Sequence, residues 1–244
     1  MNLRHAFLRA VHEYPMKIYP LIFMTADMLT GLHGTNGKGS LIWSVSAGLG
    51  VLGHGLKLAF GKGGEKIPEG TIFAKGQLKA FFTDFGQYTI RPFQPSYWHE
   101  MQRVYANLDP VSIAGKIKHT LQPWRYPLDT GYMLFALAGL GYLADSANIF
   151  GLRENGSTLQ FALATTVTMG SVTGFTTNRN DLAGSLYALG TVLALSAGIA
   201  AQSWPLTLSA PVYLAGNYLL SRVRTDHQSE YVSAQTAAAK PSAP

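Results

Sequence analysis

The chain alternates long apolar stretches with polar turns, and six of these stretches are almost free of Lys, Arg and Glu. A helix that crosses a bilayer needs about 20 mostly apolar residues, within a range of about 17–25. Several of the six lie at the short end of that range. The pattern predicts an all-α, polytopic helical membrane protein with about six transmembrane helices. The stretches are Ile18–Gly34, Ser40–Phe60, Gly131–Phe150, Leu159–Thr176, Leu182–Trp204 and Leu206–Leu220.

The six stretches form three predicted hairpins, because only the short turns TNGKG, GLREN and QSWP separate the members of each pair. They are rich in Gly, Ala, Ser and Thr, and small residues let membrane helices pack closely. The closing helices of the first and third hairpins resemble each other, as VLGHGLKL and YLAGNYLL. This likeness predicts a helical hairpin repeat, which is common in transporters and also occurs in membrane scaffolds.

Outside the hairpins the sequence predicts an amphipathic helix, a polar insert and a disordered tail. Leu3, Phe7, Leu8 and Val11 share one face of the N-terminal segment, which either lies on a membrane surface or packs against the rest of the protein. The low-complexity tail favours disorder. The predicted divisions are 1–17 for the amphipathic helix, 18–60 for the first hairpin, 61–129 for the insert, 130–222 for the second and third hairpins, and 223–244 for the tail.

The insert combines basic residues with aromatic ones. QLKAFFTDFGQY and SYWHEMQRVYANL are typical of short helices, whose aromatic faces would form a small cytoplasmic core or lie on the membrane plane. Trp124, Arg125 and Tyr126 are typical of an anchor at a membrane interface. Other membrane subunits are expected to dock on residues 61–129. No RNA-recognition pattern accompanies the basic residues, so no nucleic-acid partner is expected.

Composition and charge favour a membrane location. Charged residues make up 13% of the chain and hydrophobic residues 47%, whereas soluble domains carry about 25% charged residues. If the N-terminus is cytoplasmic, nearly all basic residues fall on the cytoplasmic side, as the positive-inside rule requires. Lys38 and Arg153 stay in the outer loops, and Lys57 can snorkel to the inner interface. Both termini and the insert are therefore predicted to be cytoplasmic, with the lipid bilayer as the first partner.

The turn after the first stretch contains GTNGKGS, which resembles the nucleotide loop of the folylpolyglutamate synthetase and Mur ligase family. In such a loop, glycines such as Gly37 let backbone amides approach the phosphates. The resemblance implies that Lys38 neutralises phosphate charge and that Ser40 holds Mg²⁺. It also implies an ATP-dependent ligase activity.

Other features favour a plain polar turn at this place. Asp27 and His33 stand where that family has a hydrophobic strand, and the second half of the chain lacks its alternation of strands and helices. The predicted topology puts the loop outside, away from cytoplasmic ATP. Tight turns also favour Gly, Asn and Ser for their own reasons. Nucleotide binding is kept as the less favoured alternative.

Three polar side chains inside the apolar stretches form the candidate site: Asp27, His54 and Asn217. Ionisable groups at such depth are costly and generally have a partner or a function. At about 1.5 Å of rise per residue, Asp27 and His54 differ in depth by only about 5 Å, so they can pair and carry a proton. The alternatives are a structural hydrogen bond or contact of Asp27 with interfacial water. Asn217 either stabilises helix–helix packing through a hydrogen bond or contacts a solute.

These residues support two leading functions: a small-solute or proton-coupled transporter, and a non-catalytic membrane subunit or scaffold. The ATP-dependent ligase is the third. The chain has no cysteine, which excludes disulfides and thiolate metal sites. Its histidines show no metal-binding spacing of the HExxH kind, so neither a metal nor a cofactor is expected.

Overall fold

A computed structural model describes residues 3–60, 72, 74–149, 151 and 157–222. Over this part of the chain the protein is all-helical, which confirms the predicted all-α class. The predicted tail at 223–244 and residues 61–71 of the insert lie outside the described residues. The helices are α1 Leu3–Glu13, α2 Pro15–His33, α3 Leu41–Phe60, α4 Gln77–Ile90, α5 Pro95–Ala106, α6 Pro110–Thr120, α7 Pro127–Ser146, α8 Thr158–Thr177, α9 Asn180–Ala200 and α10 Trp204–Arg222.

Two described helices, α3 and α9, are long and apolar enough to cross a membrane by length and composition. The arrangement with six spans stays a prediction. The observed boundaries differ slightly from the predicted ones, since α2 begins at Pro15 and α7 at Pro127. Proline suits the first helical position because its missing N–H would have no partner within the helix there.

Six long helices form a closed ring. In the order α2, α3, α7, α8, α9 and α10, each packs against the next, and α10 packs back against α2. Neighbours run antiparallel, as the contacts of α2 with α10 illustrate: Phe23 lies next to Gly216 near one end, and His33 meets Ser203 at the other. The segments 34–40, 147–149 and 201–203 lie at one end of the ring, here called the turn end. The described part of the insert lies at the opposite end.

Small residues allow the ring helices to approach closely. A Cβ atom on Gly139 of α7 would lie 2.8 Å from the Cα of Thr168 in α8. Thr168 also donates a hydrogen bond of 2.6 Å from Oγ1 to the carbonyl of Gly139. The main apolar core lies towards the turn end, where Trp43, Tyr142 and Leu163 pack with small residues of α9 and α10.

The described part of the insert packs against the ring. Phe81 of α4 joins an apolar cluster with Tyr19 and Tyr218 of the ring and with Val11 of α1. Tyr97 of α5 packs against α9 and donates a hydrogen bond of 3.0 Å from its hydroxyl to the carbonyl of Leu182. These aromatic residues therefore attach the insert to the ring helices.

Lys116 of α6 fastens the insert to the end of α8. Its side chain is buried, and Nζ donates hydrogen bonds to the carbonyls of Phe175 at 2.9 Å and Thr176 at 3.4 Å, and to Asn178 Oδ1 at 2.9 Å. A cation is favourable here because the last carbonyls of a helix lack partners within the helix. Burial lowers the pKa of Lys116, and the nearby carboxylate of Asp129 opposes that shift.

Ion pairs join α5 to the turn between α8 and α9. Glu100 accepts hydrogen bonds from Arg179 and, at 2.9 Å, from Arg91. Arg179 also donates to Asp181 at 2.9 Å. The hydrogen bond from Arg179, with that from Arg91, holds the pKa of Glu100 below its usual value, while partial desolvation opposes the shift.

Candidate functional site

The ring encloses a central cavity of about 270 Å³, lined by residues from all six ring helices. Aromatic rings contribute much of the wall, including Phe23, Tyr132, Phe135, Tyr142, Tyr187 and Tyr213. Asp27 and Lys57 are the only Asp, Glu, Lys or Arg residues among the lining residues that the structure describes, and His54 lies in the same wall. The cavity therefore places a few ionisable groups among apolar surfaces, as ligand-binding pockets commonly do.

Asp27 lies on the cavity side of α2 and is only 6% exposed. The hydroxyl of Tyr213 donates a hydrogen bond to Asp27 Oδ1. The other oxygen, Oδ2, lies 3.6 Å from His54 Nε2, beyond hydrogen-bond distance, and has no hydrogen-bond partner among the described atoms. Gly50 leaves room for this carboxylate, because a Cβ there would lie 2.7 Å from Oδ2.

His54 of α3 lies between two aromatic rings. It stacks on Phe23 with 5.0 Å between ring centroids and an angle of 15°, and its centroid lies 4.5 Å from that of Phe135. Its Nδ1 is buried and has no hydrogen-bond partner in the described part of the chain. A carboxylate, an imidazole and a phenol at this spacing can hold a proton and pass it on after a small side-chain movement.

Lys57 follows His54 by one helical turn and lines the same cavity. Its Nζ lies 4.5 Å from the ring centroid of Tyr132 and 4.7 Å from that of Phe135. Both rings belong to α7, so the side chain crosses towards a neighbouring helix of the ring. The sequence favours snorkelling for Lys57 and does not assign it to the site, although its spacing from His54 is a usable signal.

The structure brings all three predicted site residues to this cavity. Asn217 lines it from α10, where its Nδ2 donates a hydrogen bond of 3.0 Å to the carbonyl of Tyr213 in its own helix. Tyr213 was missed in the sequence, because a tyrosine in an apolar stretch gives no sign of facing an acid on another helix.

The GTNGKGS turn has a different environment. Residues Gly34–Lys38 form a single π-helical turn between α2 and α3. Ser40 is buried and donates a hydrogen bond to Asp145 Oδ1, while its Oγ accepts one of 3.1 Å from the amide of Ile42. The side chain of Lys38 lies outside the described part of the structure. Ser40 thus serves as a link between α3 and α7.

A buried hydrogen-bond chain around His33 joins three elements at the turn end. His33 is fully buried, and its Nδ1 lies 2.8 Å from Ser203 Oγ. Its Nε2 lies 2.9 Å from Gln160 Nε2, within hydrogen-bond distance. The His33 imidazole also packs edge to face against Trp43, with 5.2 Å between ring centroids. Nothing in the sequence indicates a role for Gln160, whose partner is 127 positions away.

Comparison with known proteins gives no family for this chain: no family model, no curated protein and no solved structure matches it. A function for this chain is therefore inferred from the geometry of the ring and its cavity.

Proposed function

We propose that the protein is an integral membrane carrier whose six ring helices span the bilayer and whose central cavity carries a small solute together with a proton. The outside of the ring supports this proposal, because large apolar side chains are exposed there. Val45 and Leu52 of α3 are 57% and 60% exposed, and Leu140 of α7 is 50% exposed. Lipid tails would cover such a surface at little cost.

The polar residues of α8 are compatible with a lipid environment. Thr165, Thr166 and Thr176 each donate a hydrogen bond to the carbonyl four residues earlier in the helix, at 2.7–2.8 Å. Hydroxyl groups bonded in this way present little unsatisfied polarity to lipid. Low mean hydropathy in α8 is therefore no obstacle to its spanning a bilayer.

The observation that carries the proposal is the Asp27–His54 pair inside the ring. The two groups face each other at 3.6 Å, beside the cavity and in contact with Tyr213. Ionisable groups in the interior of a membrane bundle are typical of proton and solute pathways. In this mechanism Asp27 takes up a proton on one side of the membrane, and His54 is the second group through which it leaves.

Replacing Asp27 by Asn tests the mechanism, since Asn keeps the size of the side chain and loses the titratable group. We expect D27N in proteoliposomes to lose at least about 100-fold of the proton flux, which corresponds to about 2.7 kcal/mol. A pH-sensitive dye inside the vesicles measures the flux. The matched control is D84N, because Asp84 is an exposed acid on α4 and outside the cavity lining. Equal flux in wild type and D27N would refute the mechanism.

The six spans have their own test, because a chain without cysteine accepts single cysteines as reporters. Thr35 at the turn end and Lys118 at the insert end are both exposed. A membrane-impermeant maleimide should label T35C from outside whole cells and label K118C only after lysis. Labelling of both from outside would contradict the proposed topology.

A non-catalytic membrane subunit or scaffold is the second candidate, and the insert supports it. Val111, Leu121 and Trp124 are 71%, 74% and 69% exposed around α6. An apolar surface of this kind fits either a membrane interface or a partner subunit. If the protein is a scaffold, D27N should leave its assembly with membrane partners unchanged, as judged by co-purification, and no proton flux should be found in the wild type.

The ATP-dependent ligase on Gly37, Lys38 and Ser40 stays a prediction of the sequence. Calorimetric titration of wild type and K38A with ATP and Mg²⁺ tests it. Binding by wild type that is lost in K38A would support the ligase, and no binding by wild type would exclude it.

A further inference from the structure

The Lys57 ammonium defines the most unusual part of the cavity. Its contacts with the described residues are the two aromatic rings of Tyr132 and Phe135, and none of these residues accepts a hydrogen bond from it or forms an ion pair with it. An ammonium has three N–H donors. Rings stabilise a cation through their faces, but they do not replace the hydrogen bonds that water gave to it. Because Lys57 is half-buried and lines the cavity, its donors are open there to water or to a ligand that accepts hydrogen bonds.

The other ionisable groups of the cavity do not fill that role. Asp27 faces Tyr213 on one oxygen and His54 on the other. His54 Nδ1, one turn away from Lys57, is a second polar atom without a partner among the described residues. The cavity therefore presents an ammonium that interacts electrostatically with Asp27 but has no hydrogen bond to a described residue, next to an imidazole nitrogen and aromatic rings.

We propose that the cavity binds a small monocarboxylate with an apolar body, whose carboxylate pairs with Lys57 and whose body lies against the aromatic wall. Charge-assisted hydrogen bonds from an ammonium to a carboxylate are among the stronger contacts available at such a site. A volume of about 270 Å³ suits a small molecule, and mostly apolar walls disfavour strongly hydrated anions such as phosphate. This inference rests on the proposed carrier function, because it names the solute that crosses with the proton of Asp27.

Three probes that share one ring and differ in charge test the proposal: benzoate, benzyl alcohol and benzylamine. They are titrated by calorimetry into the full-length protein in detergent at neutral pH. We expect benzoate to bind at least about ten-fold more tightly than either of the other two, as the loss of one hydrogen bond to a charged group predicts. Tighter binding of benzylamine, equal binding of all three, or no binding of any would overturn the proposal.

Variants of Lys57 assign the binding to this side chain. K57M should weaken benzoate binding by roughly 10- to 100-fold, K57R should retain most of it, and K118M should bind as wild type does, because Lys118 is exposed on α6. Unchanged binding in K57M would contradict the assignment. If K57M does not fold, as judged by gel filtration, the ranking of the three probes on wild type still decides the question.

Failure of this inference is separate from failure of the carrier function. Proton flux that depends on Asp27, together with no preference for benzoate, would support the carrier function and refute carboxylate binding. Preferential benzoate binding without any proton flux would support the carboxylate site and refute the carrier function.

Discussion

His33 and His54 both lie inside the helical ring, but their surroundings differ. At the turn end, both nitrogens of His33 have hydrogen-bond partners, in Ser203 at 2.8 Å and Gln160 at 2.9 Å. Beside the cavity, His54 has one nitrogen without a partner among the described atoms and the other 3.6 Å from Asp27. The two lysines Lys116 and Lys57 differ in the same way, since Lys116 donates to three oxygens and Lys57 faces two rings.

The comparison separates structural polar groups from functional ones. A buried polar group with its hydrogen bonds complete holds neighbouring elements in one arrangement. A buried group with incomplete hydrogen bonds costs stability, and such costs are typical of sites where a ligand or a proton completes the set. On this criterion His33 holds neighbouring helices together at the turn end, even though Gln160 Oε1 beside it has no partner among the described atoms. His54 instead belongs to the cavity to which we assign the proposed chemistry.

The largest expected effect comes from exchanging each histidine for leucine, which removes its hydrogen bonds and keeps most of its volume. H33L should lose about 4 kcal/mol of unfolding free energy. Ser203 and Gln160 are left without a hydrogen-bond partner, at about 1–3 kcal/mol each, and a branched side chain replaces the planar imidazole. H54L should change it by less than about 1 kcal/mol, since no hydrogen bond is lost. Unfolding in detergent followed by circular dichroism measures both. Equal losses would refute the distinction.

The two lysines give the next effect. K116M should destabilise the protein by about 3 kcal/mol, because the carbonyls of Phe175 and Thr176 and the amide oxygen of Asn178 lose a charged donor. K57M should be close to neutral or stabilising, since it replaces an ammonium that has no hydrogen bond to a described residue by an apolar chain. The same unfolding measurement applies, and a K57M variant less stable than K116M would contradict the account.

A smaller effect is expected at two glycines of α3. G50A places a Cβ 2.7 Å from Asp27 Oδ2, so the carboxylate must move, at a cost of about 1–3 kcal/mol. G48A meets no atom within 4 Å and should be tolerated. Proton flux and thermal unfolding should both fall in G50A and stay unchanged in G48A. Normal flux in G50A would show that the position of Asp27 is unimportant.

The smallest effect concerns the ion pairs that hold α5 to the ring. Because Arg179 and Arg91 keep the pKa of Glu100 below its usual value, the ionised form stabilises the folded state above the unfolded-state pKa of about 4.3. That stabilisation, about 1 kcal/mol or less for a partly exposed group, should be lost as the pH falls through the lower folded-state pKa. Acid unfolding of E100Q should lack this component. An identical acid profile in E100Q and wild type would exclude it.

Much of the helical framework follows from the sequence, because long apolar stretches between polar turns define helices and hairpins. The closeness of Asp27 and His54 also follows, since one short turn fixes their relative depth. The closure of the ring does not follow. The rotation of each helix depends on its neighbours, so neither the cavity side of Lys57 nor the approach of Tyr213 to Asp27 can be read from a single helix. Gln160 was missed for the same reason.

The most direct test of the central claim compares two adjacent positions of α9. Thr191 lines the cavity, and Val192 is 39% exposed on the outside of the ring. In membranes, a small water-soluble thiol reagent should modify T191C and spare V192C, because in the proposed carrier the cavity is wet and the outer face lies in lipid. Modification of V192C with protection of T191C would mean a dry core and a wet exterior, and would contradict a carrier that spans the membrane.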